Sequence, residues 1–102
     1  MSNVLNVDEY GEDAIIDVGE DISTNTNWIA FKDPNGKETT KSAIVGIVNY
    51  SSSIGNLLAN QYLIYTIEKD LIDVRGRWYY RAISEGAGKR AKTNWLPFDV
   101  KA

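Results

Sequence analysis

The tightest local constraint on this chain is the tetrapeptide Asp33-Pro34-Asn35-Gly36. Proline presets φ at the first central position of a turn, asparagine tolerates the second, and glycine accepts the positive φ that follows. Ahead of it, residues 28–32 read as a strand, with Trp28 and Ala30 on one side and Ile29 and Phe31 on the other. A chain reversed at this point forms a hairpin, and its return strand falls over residues 37–41.

The same pattern recurs along the chain. Short apolar, β-branched runs at 4–7, 14–18, 43–48 and 62–67 are separated by turn signals. Residues 77–83 alternate with a period of two, Trp78, Tyr80 and Ala82 against Arg77, Tyr79, Arg81 and Ile83. Two glycines at 86 and 88 mark a hairpin tip. Residues 92–100 form the last strand. Pro97 cannot donate to a ladder, so that strand belongs at an edge or carries a bulge. Residues 49–60, with three consecutive serines, read as a loop. One helical turn fits within 53–60 and another within 69–74. The expected fold is all-β: an antiparallel sandwich of about seven strands with at most one or two short helical turns. A small barrel of the oligonucleotide-binding or SH3-like type is the alternative. Ile16, Trp28, Tyr65, Ile67, Leu71, Trp78 and Tyr80 are the expected core.

With 102 residues, one domain is expected over 1–102. Residues 1–13 are either its first strand or an extended acidic N-terminal segment. The chain has no Cys and no His. That removes thiolate chemistry, the commonest general base and the commonest transition-metal ligand, and with them serine–histidine hydrolases, cysteine–histidine enzymes and ordinary zinc sites. No apolar run approaches the ~18 residues of a membrane-spanning helix, and the Met-Ser-Asn-Val start lacks the basic and apolar stretches of a signal peptide.

The net charge of −3 hides an uneven distribution. Asp8, Glu9, Glu12, Asp13, Asp17, Glu20 and Asp21 all precede the first basic residue, Lys32. The remaining 7 acidic residues face 11 basic ones, a surplus of +4. Such polarity steers one copy onto another or onto a partner; a solvated face is the plainer reading. Arg75, Arg77 and Arg81 interleave with Trp78, Tyr79 and Tyr80, a composition found in single-strand binders. The acidic front and negative net charge argue against nucleic acid.

The order of turns and core positions resembles a known family. Val18-Gly19-Glu20-Asp21-Ile22-Ser23 leads into the strand at 28–32 and the Asp33-Pro34-Asn35-Gly36-Lys37 hairpin. Asp70-Leu71 and then Gly76-Arg77-Trp78-Tyr79-Tyr80 follow later. Over residues 4–100 this resembles the small immunoglobulin-like sandwich domains of tailed-bacteriophage virion proteins, found in neck, tail and baseplate components. The resemblance implies a non-enzymatic structural role. The partners it implies are other virion proteins or copies of the chain, in particles assembled in the host cytoplasm without a signal peptide. It implies no cofactor, nucleic acid, membrane or small-molecule substrate. The family usually has Tyr where this chain has Trp78. An indole fills the same site but lacks the phenolic hydroxyl that ties a tyrosine corner to backbone. Tyr80 takes that role or the corner is absent.

Under this reading the acidic residues Asp8, Glu9, Glu12 and Asp13 form one side of a protein interface. Arg75, Arg77, Arg81, Lys89, Arg90 and Lys92 form the other. Trp95, Leu96 and Phe98 on the edge strand are the apolar anchors. The same residues admit other readings. The Asp8-Glu9-x-x-Glu12-Asp13 cluster lacks the spacing of a calcium loop. Paired carboxylates suit glycoside hydrolysis, but so small a chain leaves little room for a cleft. Trp28, Trp78 and Trp95 form a platform in a carbohydrate- or host-surface-binding module, the alternative function. Gly86-Ala87-Gly88-Lys89 lacks the spacing of a phosphate loop.

Overall fold

A computed structural model of the chain describes residues 3–52 and 55–102. The Ser53 end of the expected loop and turn lies outside the described residues. The strands are β1 (Val4–Asn6), β2 (Asp13–Asp17), β3 (Thr26–Lys32), β4 (Glu38–Ser42), β5 (Ile44–Val45), β6 (Tyr50–Ser52), β7 (Gly55–Leu57), β8 (Tyr62–Thr66), β9 (Gly76–Gly86), β10 (Lys89–Lys92) and β11 (Leu96–Lys101). The fold is all-β, and the described residues contain no helix. Both places expected to hold a helical turn are otherwise built. Leu57 lies in β7, and residues 69–74 form turns in which Asp70 adopts φ 70°.

The turn chemistry behaves as its residues dictate. The Asp33 carboxylate accepts from the amides of Asn35 and Lys37, each at 2.9 Å, and Gly36 sits at φ 87°. Strand β4 then pairs with β3 in the register Lys32↔Glu38 to Trp28↔Ser42. Ala87 and Gly88 both take positive φ, which closes β9 onto β10 in a two-residue loop matching the strands' twist.

Two sheets make a sandwich. The first has the order β1-β11-β9-β3-β4, with β10 also on β9; the second is β2-β8-β5. A third, two-stranded ribbon, β6–β7, extends the hairpin formed by β5 and β8. The pairing is antiparallel except between β1 and β11, which run parallel through Val4↔Asp99 to Asn6↔Lys101. Residues 4–13 are therefore woven into the fold and are not an extended segment. The Val7 amide donates to Lys101 O, that of Asp8 to Ile72 O and that of Gly11 to Ile67 O, and Leu5 is buried.

More strand segments exist than the seven expected because long runs are interrupted. Of the two alternatives anticipated from Pro97, residues 92–100 hold the bulge; β11 itself lies between β1 and β9 and is not an edge strand. A bulge at Thr93 separates β10 from β11: its amide donates to Ala82 O, and its hydroxyl accepts from the Ala82 amide. Strand β1 covers β11 only from Asp99 onward, so the backbone of 96–98 pairs with β9 alone, where a proline is tolerated.

The core lies between the sheets. Leu5, Phe98, Val100, Trp78, Ile29 and Phe31 from the first meet Ile16, Leu63 and Ile67 from the second, with Ile22 and Ile72 closing the ends. Tyr65, Leu71 and Tyr80, expected to be buried, are partly buried and pack against this cluster. Trp28 is a correction: Asn27, Ile29 and Phe31 face inward, so the alternation turns Trp28 outward, opposite Ser42 and Ile83. Asn27 tolerates burial because its amide donates to the carbonyls of Ile22 and Asn25 and its oxygen accepts from the Ser84 hydroxyl.

Trp78 is 3% exposed, and its indole N–H donates to Val74 O at 2.9 Å. The indole thus makes a backbone tie of the kind a phenol makes in a tyrosine corner, through a different donor. Its ring lies 6.0 Å from Phe98, which lies 5.6 Å from Tyr80, which lies 6.3 Å from Phe31. This aromatic row fills the interior of the larger sheet. Trp78→Ala is expected to cost about 3–5 kcal/mol, whereas Trp28→Ala, on the outer face, costs clearly less. Urea midpoints of the two variants check the assignment, and equal losses would contradict it.

Candidate functional site

The outer face of the larger sheet carries most of the basic residues singled out from sequence. Its chemistry is largely satisfied within the chain. Arg77 pairs with Asp99 at 3.1 Å, Arg81 with Glu38 at 4.0 Å and Arg90 with Glu85 at 3.8 Å. Lys89 reaches Glu20 at 3.3 Å, so part of the acidic front already meets the basic back inside one molecule. Among the described residues, Arg75 and Lys92 are the members of that set with no ion pair.

Cations also cover the aromatics. Lys32 Nζ lies 4.5 Å from the Trp95 ring centre and 5.4 Å from that of Tyr79. The Arg81 guanidinium lies 4.1 Å from Trp95, and Arg90 lies 5.7 Å from Trp28. Trp95 is thus a partly buried ring under two cations, not a free anchor. Phe98 is 2% exposed and belongs to the core. Its outward reading from sequence is corrected because β11 places residues 98 and 100 inward beside Trp78 and Gly76. Leu96, at the open end of the strand, is exposed.

The acidic residues do not converge. Asp13 accepts from the Thr66 hydroxyl at 2.5 Å, and Glu9 accepts from Asn6 at 3.4 Å. Asp8 takes a left-handed turn conformation at φ 67°. Among the described residues no group of three acidic side chains is arranged to hold a metal ion. Among the described residues no helix is long and apolar enough to cross a membrane.

Two concavities among the described residues bear on the site. One, of about 350 Å³, is polar and lies beside Lys41, Glu68, Asp33 and Asp73 at the end of the β3–β4 hairpin. The Lys41–Glu68 ion pair of 2.6 Å closes on it, and the Tyr65 hydroxyl donates to the same carboxylate at 3.0 Å. Lys41 first, then Tyr65, hold the Glu68 carboxyl below its ordinary range. Burial first, then Glu68, push the Tyr65 hydroxyl up to about 12. The second concavity is a groove of about 1030 Å³ on the side where the sandwich stays open. It runs between β2, an edge of the smaller sheet, and the 96–98 stretch of β11. Ile15, Ile16, Tyr80, Leu96 and Phe98 line it, and Tyr50 and Leu57 of the β6–β7 ribbon form one wall.

Sequence reasoning missed the most exposed apolar surface. Ile44, Ile47, Val48, Tyr50 and Leu58 stand in water along the hairpin from β5 to β8. Backbone bonds hold this ribbon together: Gly46 N to Tyr62 O at 2.9 Å and Asn60 N to Gly46 O at 2.8 Å. The Tyr62 ring lies so close beneath Gly46 that a Cβ there would sit 1.9 Å from it. The Tyr62 hydroxyl donates to Val48 O at 2.8 Å. The ring therefore fills the space under the ribbon and holds Ile47 and Val48 outward. One signal was available: residues 42–67 contain no Asp, Glu, Lys or Arg. A quarter of the chain without charge, on a surface otherwise rich in ion pairs, is unusual for a solvated face.

The chain matches no family model, no curated protein and no solved structure.

The tyrosine–carboxylate tie gives a pH test. The folded-state value of Tyr65 lies above its ordinary 10.0, so its contribution is complete below pH 10 and is lost as pH rises toward 12. The stability advantage of wild type over Tyr65→Phe is expected to shrink across that window in urea titrations. A constant gap would contradict the assignment.

Proposed function

We propose that this protein is a non-enzymatic assembly module that works through protein–protein contacts, as a structural component of a tailed-phage particle in its neck, tail or baseplate. The observation that carries the reading is the uncharged hairpin displaying Ile44, Ile47, Val48, Tyr50 and Leu58. Soluble domains rarely leave so many large apolar side chains of one uncharged hairpin in water unless they meet another protein. The sandwich supplies a rigid base for that surface. The resemblance of the turn-and-core pattern to virion sandwich domains supplies the setting. The carbohydrate-binding alternative needs open aromatic faces, and Trp95 and Trp28 have theirs under Lys32, Arg81 and Arg90.

Charge steering is a minor part of this reading. Exposed ion pairs contribute about 0–1 kcal/mol each, and four of the six basic positions are already paired internally. Arg75 and Lys92 remain for a partner's carboxylates, and Leu96 for an apolar contact at the rim of the groove.

The reading is tested by sedimenting tailed particles from a culture that produces this chain and quantifying it by mass spectrometry. It is expected to co-sediment at a fixed ratio to the tail proteins. Recovery only in the particle-free supernatant would overturn the virion assignment.

A further inference from the structure

The smaller sheet ends on one side at β2, five residues bordering the groove of about 1030 Å³. The hydrogen bonds from β2 to β8 use every second residue. The Val18 amide donates to Gln61 O and the Ile67 amide donates to Glu12 O, so residues 12, 14, 16 and 18 turn their amides and carbonyls toward β8. Asp13, Ile15 and Asp17 turn theirs to the open edge, where no further strand pairs among the described residues. The opposite wall differs. The Asp99 amide donates to Asn3 O, so Pro97, two residues earlier, directs its carbonyl to the open side and has no amide to offer. Of other sheet edges, β1 and β5 are three and two residues long, and β4 carries no apolar side chain.

We propose that the groove takes an extended segment of another protein, which joins the smaller sheet as a strand antiparallel to β2 and carries two basic residues flanking three apolar ones. This goes beyond the assembly reading, because it concerns a second surface and does not rest on the exposed hairpin or on the virion setting. The open backbone groups of β2 select an extended chain. Alternation then sets its side chains. Positions beside Ala14 and Ile16 point between the sheets, where Ile16, Tyr80 and Phe98 line the groove, and so are apolar. The position beside Ile15 points outward and continues the cross-strand row of Ile15, Ile64 and Ile44, so it is apolar too. Positions beside Asp13 and Asp17 share that outer face. Asp13 accepts from the Thr66 hydroxyl and Asp17 from the Gly19 amide, but among the described residues neither has a cation partner. The lining of the groove is acidic as well, with Asp17 and Asp99 against Arg77. Opposite charges facing each other across strands attract and like charges repel, so the incoming segment carries Lys or Arg at both places. The same rule disfavours a second copy: two β2 strands overlapped about Ile15 would set Asp13 against Asp17 twice.

The test is fluorescence anisotropy of a labelled peptide, Gly-Ser-Lys-Val-Ile-Val-Lys-Ser-Gly, titrated with the full chain to about 1 mM, which reaches weak affinities. Saturable binding is expected. The peptide with Glu in place of both Lys is expected to bind about 10-fold more weakly. Proline in place of the central Ile removes the amide that would donate to Ile15 O and is expected to abolish binding. The double variant Asp13→Lys, Asp17→Lys is expected to reverse the charge preference, and its binding of the acidic peptide shows at the same time that it is folded. No binding of the basic peptide by wild type overturns the proposal. Equal binding of the basic and proline peptides overturns it, because no strand is then added. A charge preference that the double variant leaves unchanged overturns it too, because the peptide then sits elsewhere. None of these results bears on co-sedimentation with particles, and loss of co-sedimentation leaves peptide binding unaffected.

Discussion

Strand β9 is the element on which the rest of the molecule depends. Its 11 residues pair with β3 on one side and with both β11 and β10 on the other, so a single strand organises the larger sheet. Its inward residues, Trp78, Tyr80, Ala82 and Ser84, run the length of the sandwich. Trp78 and Tyr80 build the aromatic row with Phe31 and Phe98. Ser84 serves the polar end by donating to Asn27 and accepting from Asn25. Its outward residues, Arg77, Tyr79, Arg81 and Glu85, engage Asp99, Lys32, Glu38 and Arg90. One period-two strand thus fixes the apolar interior and the ion-paired exterior together, with Arg81 Nε left without a hydrogen-bond partner.

The smaller sheet has a different surface. Its inner face closes the core through Ala14, Ile16, Leu63 and Ile67. Its outer face carries a cross-strand row, Ile15 opposite Ile64 and Ile64 opposite Ile44, where a solvated sheet would carry polar side chains. The ribbon continuing from β5 to β8 adds Ile47, Val48, Tyr50 and Leu58, raised over the buried ring of Tyr62. The molecule therefore has one face whose charges are mostly paired internally, Lys92 and the buried Arg81 Nε excepted, and one hairpin whose apolar groups stand in water. Function, on this account, belongs to the second.

Much of the fold was legible from residues alone. Asp33-Pro34-Asn35-Gly36 set the β3–β4 hairpin through its own side-chain and backbone bonds, and two glycines set the β9–β10 turn. Pro97 foretold an edge or a bulge: the bulge is present at Thr93, while β11 lies between β1 and β9 and is not an edge strand. These features are local, so sequence reports them directly. The errors arose where phase or distant pairing decides. Trp28 is outward because Ile29 and Phe31 claim the interior, a choice a strand with bulky residues on both sides does not reveal. Phe98 is buried because the bulge at Thr93 resets the phase of β11. The basic residues looked available because their carboxylate partners, such as Glu20 for Lys89, lie far away in sequence. The exposed hairpin was missed because its Val and Ile residues satisfy a strand pattern whether the face they share is covered or open.

The central claim is that the uncharged hairpin is a contact surface rather than part of the protein's own core. Hydrogen exchange followed by mass spectrometry, comparing the free protein with protein assembled into tailed particles, reads it most directly. The account predicts that amides within 44–58 gain protection on assembly while those of β9, already paired on both sides, do not change. Protection over 44–58 that is the same in free and assembled protein, or that rises instead on the outer face of the larger sheet around Lys32, Arg81 and Trp95, would contradict it.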